Sequence, residues 1–473
     1  MDWVVLLPPV VAIGLALWTR QVFLSLAAGL WIGTTILGGG NPAAGLTGMA
    51  DVMVDVFSEA SNSRIILFSL LVGGLIALVQ VSGGVAAFTQ WVQKRGWGKT
   101  RRSSELLALV VGLLIFVESS ITSLIVGTLN RPFFDKLKLP REKLAYYCDA
   151  TSAPVCMMIP LNGWGAFVLG LIVAQGYAAE AVSLLAQSLL FNFFCLFAIA
   201  FALILALTGL SFGSMRKAQV RAAETGHVTR PGSSPMIADD VANLEPIRPG
   251  AGNAGDLIIP VVVMIAMIFV SLWITGDGNL MDGSGSTAVL WAVGSAIGVA
   301  MLLYLLPRGG RPLLSLAKST DFVMKGASGL VGVVALLVLA FALGNVSREL
   351  EMGPYIVSLI GETIQAWWLP ALVFLAGCAV SFTLGSSWTT FAILIPLVLP
   401  LAEGLGLSMP LMLGAVLSGG VYGDHASPLS DTSIISSMSA ACDHVDHVNT
   451  QLPYTFVVAC ASLVAFLVAG VVM

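Results

Sequence analysis

Charge is what this chain has least of: Asp, Glu, Lys and Arg together make up 10% of its 473 residues. A soluble fold of that length would lack the polar surface to cover itself. Its apolar stretches are continuous and do not alternate with polar residues, which excludes a transmembrane β-barrel. The cysteines (Cys148, Cys156, Cys195, Cys378, Cys442 and Cys460) never stand in CxxC spacing. They read as small packing residues, not as a disulfide frame or metal site. No glycine-rich phosphate loop with a following Lys occurs, and no nucleophile–base–acid set. Nucleotide-driven pumping, hydrolysis and a bound cofactor therefore have no support, and no nucleic-acid partner is expected. The start, Met1-Asp2-Trp3, lacks a basic region, so residues 4–19 are expected to be a retained span and not a cleaved signal. Fixed positive charge ends at Arg348, and the 125 residues beyond it carry eight acids and three of the four histidines. Either few cytoplasmic loops fall there, or that half has an interior potential favouring cations.

What is present is apolar: 57% hydrophobic residues and a mean hydropathy of +0.93. Runs of spanning length recur, among them residues 64–79, 189–207, 257–274 and 452–473. The expectation is an all-α polytopic membrane protein. Basic segments at 94–102, 131–143, 211–256 and 307–325 are placed in the cytoplasm, and acid-biased connections at 43–63, 277–286, 347–367 and 402–408 outside. With cytoplasmic loops at both ends, residues 105–130 are expected to enter and return as a re-entrant hairpin turning near Glu118-Ser119-Ser120. Residues 369–401 are expected to do the same from the outer side, turning at Gly385-Ser386-Ser387. Irregular backbone at that depth survives only inside protein or beside a water-filled cavity.

Each turn is followed by an acidic segment ending in proline: Asp149 to Pro154, and Asp424 to Pro428. The same parts in the same order suggest two inverted repeats, 1–214 and 256–473, of about five spans each plus a hairpin. Residues 215–255 are expected to be a mobile cytoplasmic linker without site residues, and His227 a solvated loop residue.

The stretch from Gly423 through Asp424, His425, Ser427, Pro428 and Asp431 to Thr432 is the most polar one placed at membrane depth. Ionisable groups there are costly and usually line an ion or substrate path. A desolvated alkali cation needs about five or six oxygens from hydroxyls, freed helix carbonyls and carboxylates. Ser119, Ser120, Thr122, Ser386, Ser387 and Thr389 are candidates from the hairpin tips. Asp149, Thr151, Ser152, Asp424, Ser427, Asp431 and Thr432 are candidates for the opposite wall. Asp424 and Asp431 lead as exchanging carboxylates, followed by Asp149 and Glu118. The competing reading for each acid is an ion pair or a helix cap, and for each hydroxyl a bond to its own backbone. Asp443, His444, Asp446 and His447, with His425, suit a pH-responsive gate, a zinc site or a plain polar helix end. No transition metal is expected at the hairpin site.

Three stretches carry a resemblance. They are Arg141-Glu142-Lys143-Leu144-Ala145-Tyr146 running to Asp149, Ala153 and Pro154; Gly423-Asp424-His425 running to Ser427-Pro428 and Ser430-Asp431-Thr432; and Cys442-Asp443-His444 running to His447 and Thr450-Gln451-Leu452-Pro453-Tyr454. In these the chain resembles the NhaC family of sodium/proton antiporters within the ion transporter superfamily. The resemblance implies Na⁺/H⁺ exchange in a bacterial inner membrane, with Na⁺ and H⁺ as transported ions. It also implies a scaffold, a moving transport domain bearing both hairpins, and a homodimer in the lipid bilayer. Relatives also exchange organic acids or amino acids. The family commonly has a pair of acids and an Asn at the first turn, where this chain has Glu118-Ser119-Ser120 and Thr122.

Overall fold

Helix caps and breakers punctuate the chain, and the backbone follows them. The computed structural model describes residues 3–19, 21–84, 87–88, 98–116, 119–234, 247–248, 250–280, 283–308, 311–352, 355 and 365–473. Among these are twenty-one α-helices and one two-residue antiparallel pair, β1 (Pro307–Arg308) with β2 (Arg311–Pro312). The first helices are α1 (Leu7–Thr19), α2 (Val22–Leu37), α3 (Pro42–Asp55) and α4 (Ala60–Val81). Then come α5 (Arg101–Leu114), α6 (Ser119–Lys136), α7 (Arg141–Ala150), α8 (Ala153–Met158) and α9 (Gly163–Ala174). Next are α10 (Ala181–Ser188), α11 (Phe193–Thr208), α12 (Gly213–Thr225), α13 (Gly255–Thr275) and α14 (Gly285–Leu305). The remainder are α15 (Leu316–Gly329), α16 (Val331–Glu349), α17 (Leu369–Leu384), α18 (Ser387–Gly404), α19 (Met409–Ala426), α20 (Asp431–Ser439) and α21 (His444–Val472).

Among the described residues, seven helices are long and apolar enough to cross a membrane, and up to ten spans result if each bent pair is counted as one. This is a multi-pass helical membrane protein. Two of the bends have visible causes. Asn41 caps α3 and Pro42 begins it, so the chain turns by 114° between α2 and α3. Residues 43–55, expected only as a connection, are therefore helical. Asn162 caps α9 by accepting from the Trp164 and Gly165 N–H groups, at a 42° bend after α8. Its amide nitrogen, with two hydrogens to donate, lies 2.8–2.9 Å from the carbonyls of Phe116, Cys156 and Ile159, so the side chain holds two broken helices together.

Residues 105–130 form the expected pair of helices, α5 and α6. Glu105 near the start of α5 and Lys143 just beyond α6 form an ion pair at 2.9 Å, so both ends of the pair lie on the same side. That is what a hairpin requires. Lys143, counted above among loop cations, is fully buried, because Glu105 neutralises it and the Tyr147 hydroxyl satisfies the second carboxylate oxygen at 2.8 Å. The second pair, α17 and α18, turns at Gly385 with φ +67°, a left-handed conformation that glycine adopts without penalty. A Cβ there would stand 2.6 Å from the Leu429 backbone, so this tip is pressed against the loop after α19.

Close helix contacts elsewhere use the paired glycines. A Cβ on Gly73 of α4 would lie 2.4 Å from the Gly326 carbonyl of α15, and Gly419 of α19 meets the backbone of α17. The apolar interior divides into two clusters. One contains Phe167, Phe341, Phe374 and Val416; the other contains Phe68, Val111, Tyr146 and Val293.

The segment expected as a mobile linker is partly structured. Residues 213–225 are helical, and the following strand of chain to Ser234 lies across the starts of α7 and α21. Arg221 donates to both oxygens of the buried Glu142 at 2.8 and 2.9 Å, and Arg230 pairs with Asp446 at 2.9 Å. The Arg141 N–H donates to the Val228 carbonyl at 3.0 Å. Carboxylates held at helix starts recruit the linker arginines, which composition alone does not disclose. His227 is exposed, as expected.

Candidate functional site

Pro428 determines the local chemistry. It lacks an N–H, so the Asp424 carbonyl, four residues earlier at the end of α19, loses its helical donor. The next N–H, from Leu429, is taken by Ser427 Oγ at 3.1 Å, which leaves the His425 carbonyl without one as well. Side chains from other elements fill both places. Ser433 Oγ of α20 lies 3.2 Å from the Asp424 carbonyl oxygen, and Gln451 Nε2 of α21 donates to the His425 carbonyl.

The same two groups reach the first half of the chain. Ser433 Oγ donates to Asp149 Oδ2 at 2.8 Å, and Gln451 Nε2 donates to that oxygen at 2.6 Å. Asp149 on α7 and Asp424 on α19 are both buried and thus converge on one serine. His447 Nε2 stands 3.4 Å from Asp149 Oδ2, and His425 Nδ1 stands 3.9 Å from Asp149 Oδ1. The His425 ring is set edge-on between Tyr146 and Phe194, at 6.0 and 6.2 Å. Around the Asp424 carboxylate, Ser387 at the second hairpin tip donates to Oδ2 and Ser430 donates to Oδ1 at 3.3 Å. Thr432 Oγ1 completes this wall, 3.0 Å from Ser430 Oγ.

Other candidates are satisfied elsewhere. Thr151 donates to the Tyr147 carbonyl at 2.7 Å and Ser152 to the Asp149 carbonyl at 2.8 Å, the back-bonding expected of hydroxyls in membrane helices. Ser386 caps α18, accepting from the Thr389 N–H at 3.3 Å and the Thr389 hydroxyl at 3.2 Å. Asp431 occupies the first turn of α20 and is exposed. In the first hairpin, Ser119 is buried at the start of α6, and Thr122 donates to the Ile115 carbonyl where α5 ends. Glu118 lies outside the described residues, as does the side chain of Ser120. Ser123, one turn further on, is 3.1 Å from Ser436, which ties the first hairpin to α20.

The 443–447 cluster is divided among three tasks. Asp443 caps α21 through the Val445 and Asp446 N–H groups, Asp446 pairs with Arg230, and His444 bonds Ser437 and the Pro428 carbonyl. Only His447 faces Asp149. Among the described residues no group of three or more His, Cys, Asp or Glu is placed to hold a metal ion. Burial works to raise the Asp443 pKa, but N–H donors from Ser234, Asp446 and Val445, with Arg230 nearby, hold it below the usual carboxylate range. A carboxylate depressed in the folded state stabilises above its unfolded pKa, and that contribution is lost as pH falls through the folded value. The melting-temperature gap between wild type and Asp443→Asn is therefore expected to be full at neutral pH and to close below about pH 4. A gap that stays constant into acid would show that charge has no part in it.

Ser433 and Gln451 were not among the candidates drawn from the sequence. Part of the signal was present: Pro428 frees the Asp424 carbonyl, and a freed carbonyl at membrane depth needs a donor.

Residues 155–471 match the Na⁺/H⁺ antiporter family. The matched region contains Asp424, Ser433, His447 and Gln451. The chain belongs to this family. That bears out the resemblance carried by the three motifs, and it makes the protein a secondary transporter. An uncharacterized protein of Haemophilus influenzae is 32% identical over 98% of this chain and 90% of its own length. The malate-2H⁺/Na⁺-lactate antiporter of Bacillus subtilis is 30% identical, over 27% of this chain and 31% of that protein. Among solved structures, the YdaH transporter of Alcanivorax borkumensis superposes with a TM-score of 0.60 at 12% identity, covering 95% of this chain and 97% of that one. At that identity the likeness concerns the fold alone.

Proposed function

We propose that this protein exchanges Na⁺ for H⁺ by alternating access in a bacterial inner membrane, the proton gradient driving sodium out. The observation that carries this reading is the meeting of Asp149 and Asp424 at Ser433. Ser433 bonds the carboxylate of Asp149 and the main-chain carbonyl of Asp424, both carboxylates are buried, and among the described residues neither forms an ion pair with a Lys or Arg. An acid buried without a fixed cation gains its counter-charge from a proton or a mobile cation. A pocket that accepts either of these in turn is sufficient for antiport. Asp424, Ser387, Ser430, Thr432 and the Asp424 carbonyl are oxygens suited to sodium in kind, and Pro428 has already released the carbonyl. In this reading the halves 1–214 and 256–473 act as inverted copies, each supplying one carboxylate, and the protein works as a homodimer.

A second reading, exchange of a small organic acid against these ions, is favoured by the match to the malate/lactate antiporter. Trp388 follows Ser387 at the hairpin tip and lies 5.2 Å from Trp164, an aromatic surface a solute could contact. Reconstituted protein given a proton gradient and sodium alone distinguishes the two. Sodium-dependent proton movement without any organic solute is the expected result. Strict dependence on such a solute would transfer the conclusion to the second reading.

A further inference from the structure

Two side chains bridge Asp149 to the end of α19, and they differ in one respect that matters. Gln451 Nε2 carries two hydrogens, so it can serve Asp149 Oδ2 and the His425 carbonyl together. Ser433 carries one hydroxyl hydrogen and faces two acceptors, Asp149 Oδ2 at 2.8 Å and the Asp424 carbonyl at 3.2 Å. It can donate to only one of them at a time. Gln451 is thus a fixed rung, and Ser433 is a rung with two positions.

We infer that Ser433 is a positioning residue that couples occupancy of the Asp424 pocket to Asp149. The inference rests on the exchange reading above. A cation in the pocket draws on the Asp424 carbonyl, and the hydroxyl then donates to Asp149 and commits its Oδ2 oxygen. When the cation leaves, the carbonyl has no backbone donor, because Pro428 stands in the required place, and besides Ser433 it has only the longer contact from Thr432 Oγ1 at 3.5 Å among the described residues. The hydroxyl turns to it and releases Asp149 for the ion moving the other way. An unsatisfied carbonyl inside the membrane is costly enough to drive such a turn. Ser433 is fully buried, so water does not compete for the hydroxyl. It sits on α20 between the two acidic segments, where no other described side chain bonds both Asp149 and the Asp424 carbonyl.

The test compares wild type, Ser433→Ala and Ser433→Thr in liposomes. Three quantities are read: sodium binding at equilibrium by calorimetry, proton-driven sodium flux, and the number of protons moved per sodium ion under a proton gradient. Ser433→Ala is expected to bind sodium within about threefold of wild type, while proton-driven sodium flux falls about tenfold, the scale of one hydrogen bond. Ser433→Thr, which keeps the hydroxyl, is expected to restore coupling. An unchanged proton-to-sodium ratio in Ser433→Ala overturns the inference and leaves the exchange reading intact. Loss of sodium binding together with flux in that variant also overturns it, since Ser433 would then be an ordinary ligand or a structural residue. A wild type that moves no protons with sodium alone removes the exchange reading and this inference with it.

Discussion

Asp424→Asn is expected to abolish sodium-dependent proton flux in reconstituted vesicles while the protein stays folded and monodisperse. Asn keeps the shape of the side chain and can still meet Ser387 and Ser430, the two hydroxyls now on the carboxylate. What disappears is the negative charge, and with it, in the proposed exchange, the site shared by proton and cation. A charge-assisted contact of about 3 kcal/mol corresponds to roughly a hundredfold in affinity, so flux should fall to the level of empty vesicles. The carboxylate is buried, so no solvent charge replaces it. Flux in the variant equal to wild type would remove Asp424 from the mechanism.

The second large effect concerns folding. Lys143→Met leaves Glu105 buried with only the Tyr147 hydroxyl as partner, because its ion pair at 2.9 Å is gone. Breaking a buried pair from one side costs about 3–5 kcal/mol, whereas replacing both partners by apolar groups is often near neutral. Lys143→Met alone should therefore lower the melting temperature in detergent more than Lys143→Met with Glu105→Leu. The pair joins the start of α5 to α7, so its loss should also loosen the helix that carries Asp149. Equal melting temperatures for the single variant and wild type would show that Glu105 finds water or another partner there.

These two residues mark what a sequence can suggest and where it stops. Asp424 was legible because an acid flanked by Gly423 and Pro428 in an apolar half has few structural uses. Lys143 was read as a loop cation, since position in a basic run says nothing about a partner 38 residues away. Arg221 and Arg230 were likewise counted only as linker charge, although they clamp Glu142 and Asp446. Thr151, Ser152, Ser386 and Thr389 were chosen by residue type. Their hydroxyls turn to backbone or to each other, as the competing reading allowed.

Composition and the order of breakers and acids were enough to establish a helical membrane protein with two acidic segments, because the bilayer excludes unpaired backbone and isolated charge. Which oxygens and nitrogens meet was settled only by tertiary packing. Asp149, Asp424, Ser433 and Gln451 are separated by up to 302 residues and share one pocket through side-chain contacts that local sequence does not encode. Hydrogen bonds act over about 3 Å, and only the packed helices bring such distant groups within that reach.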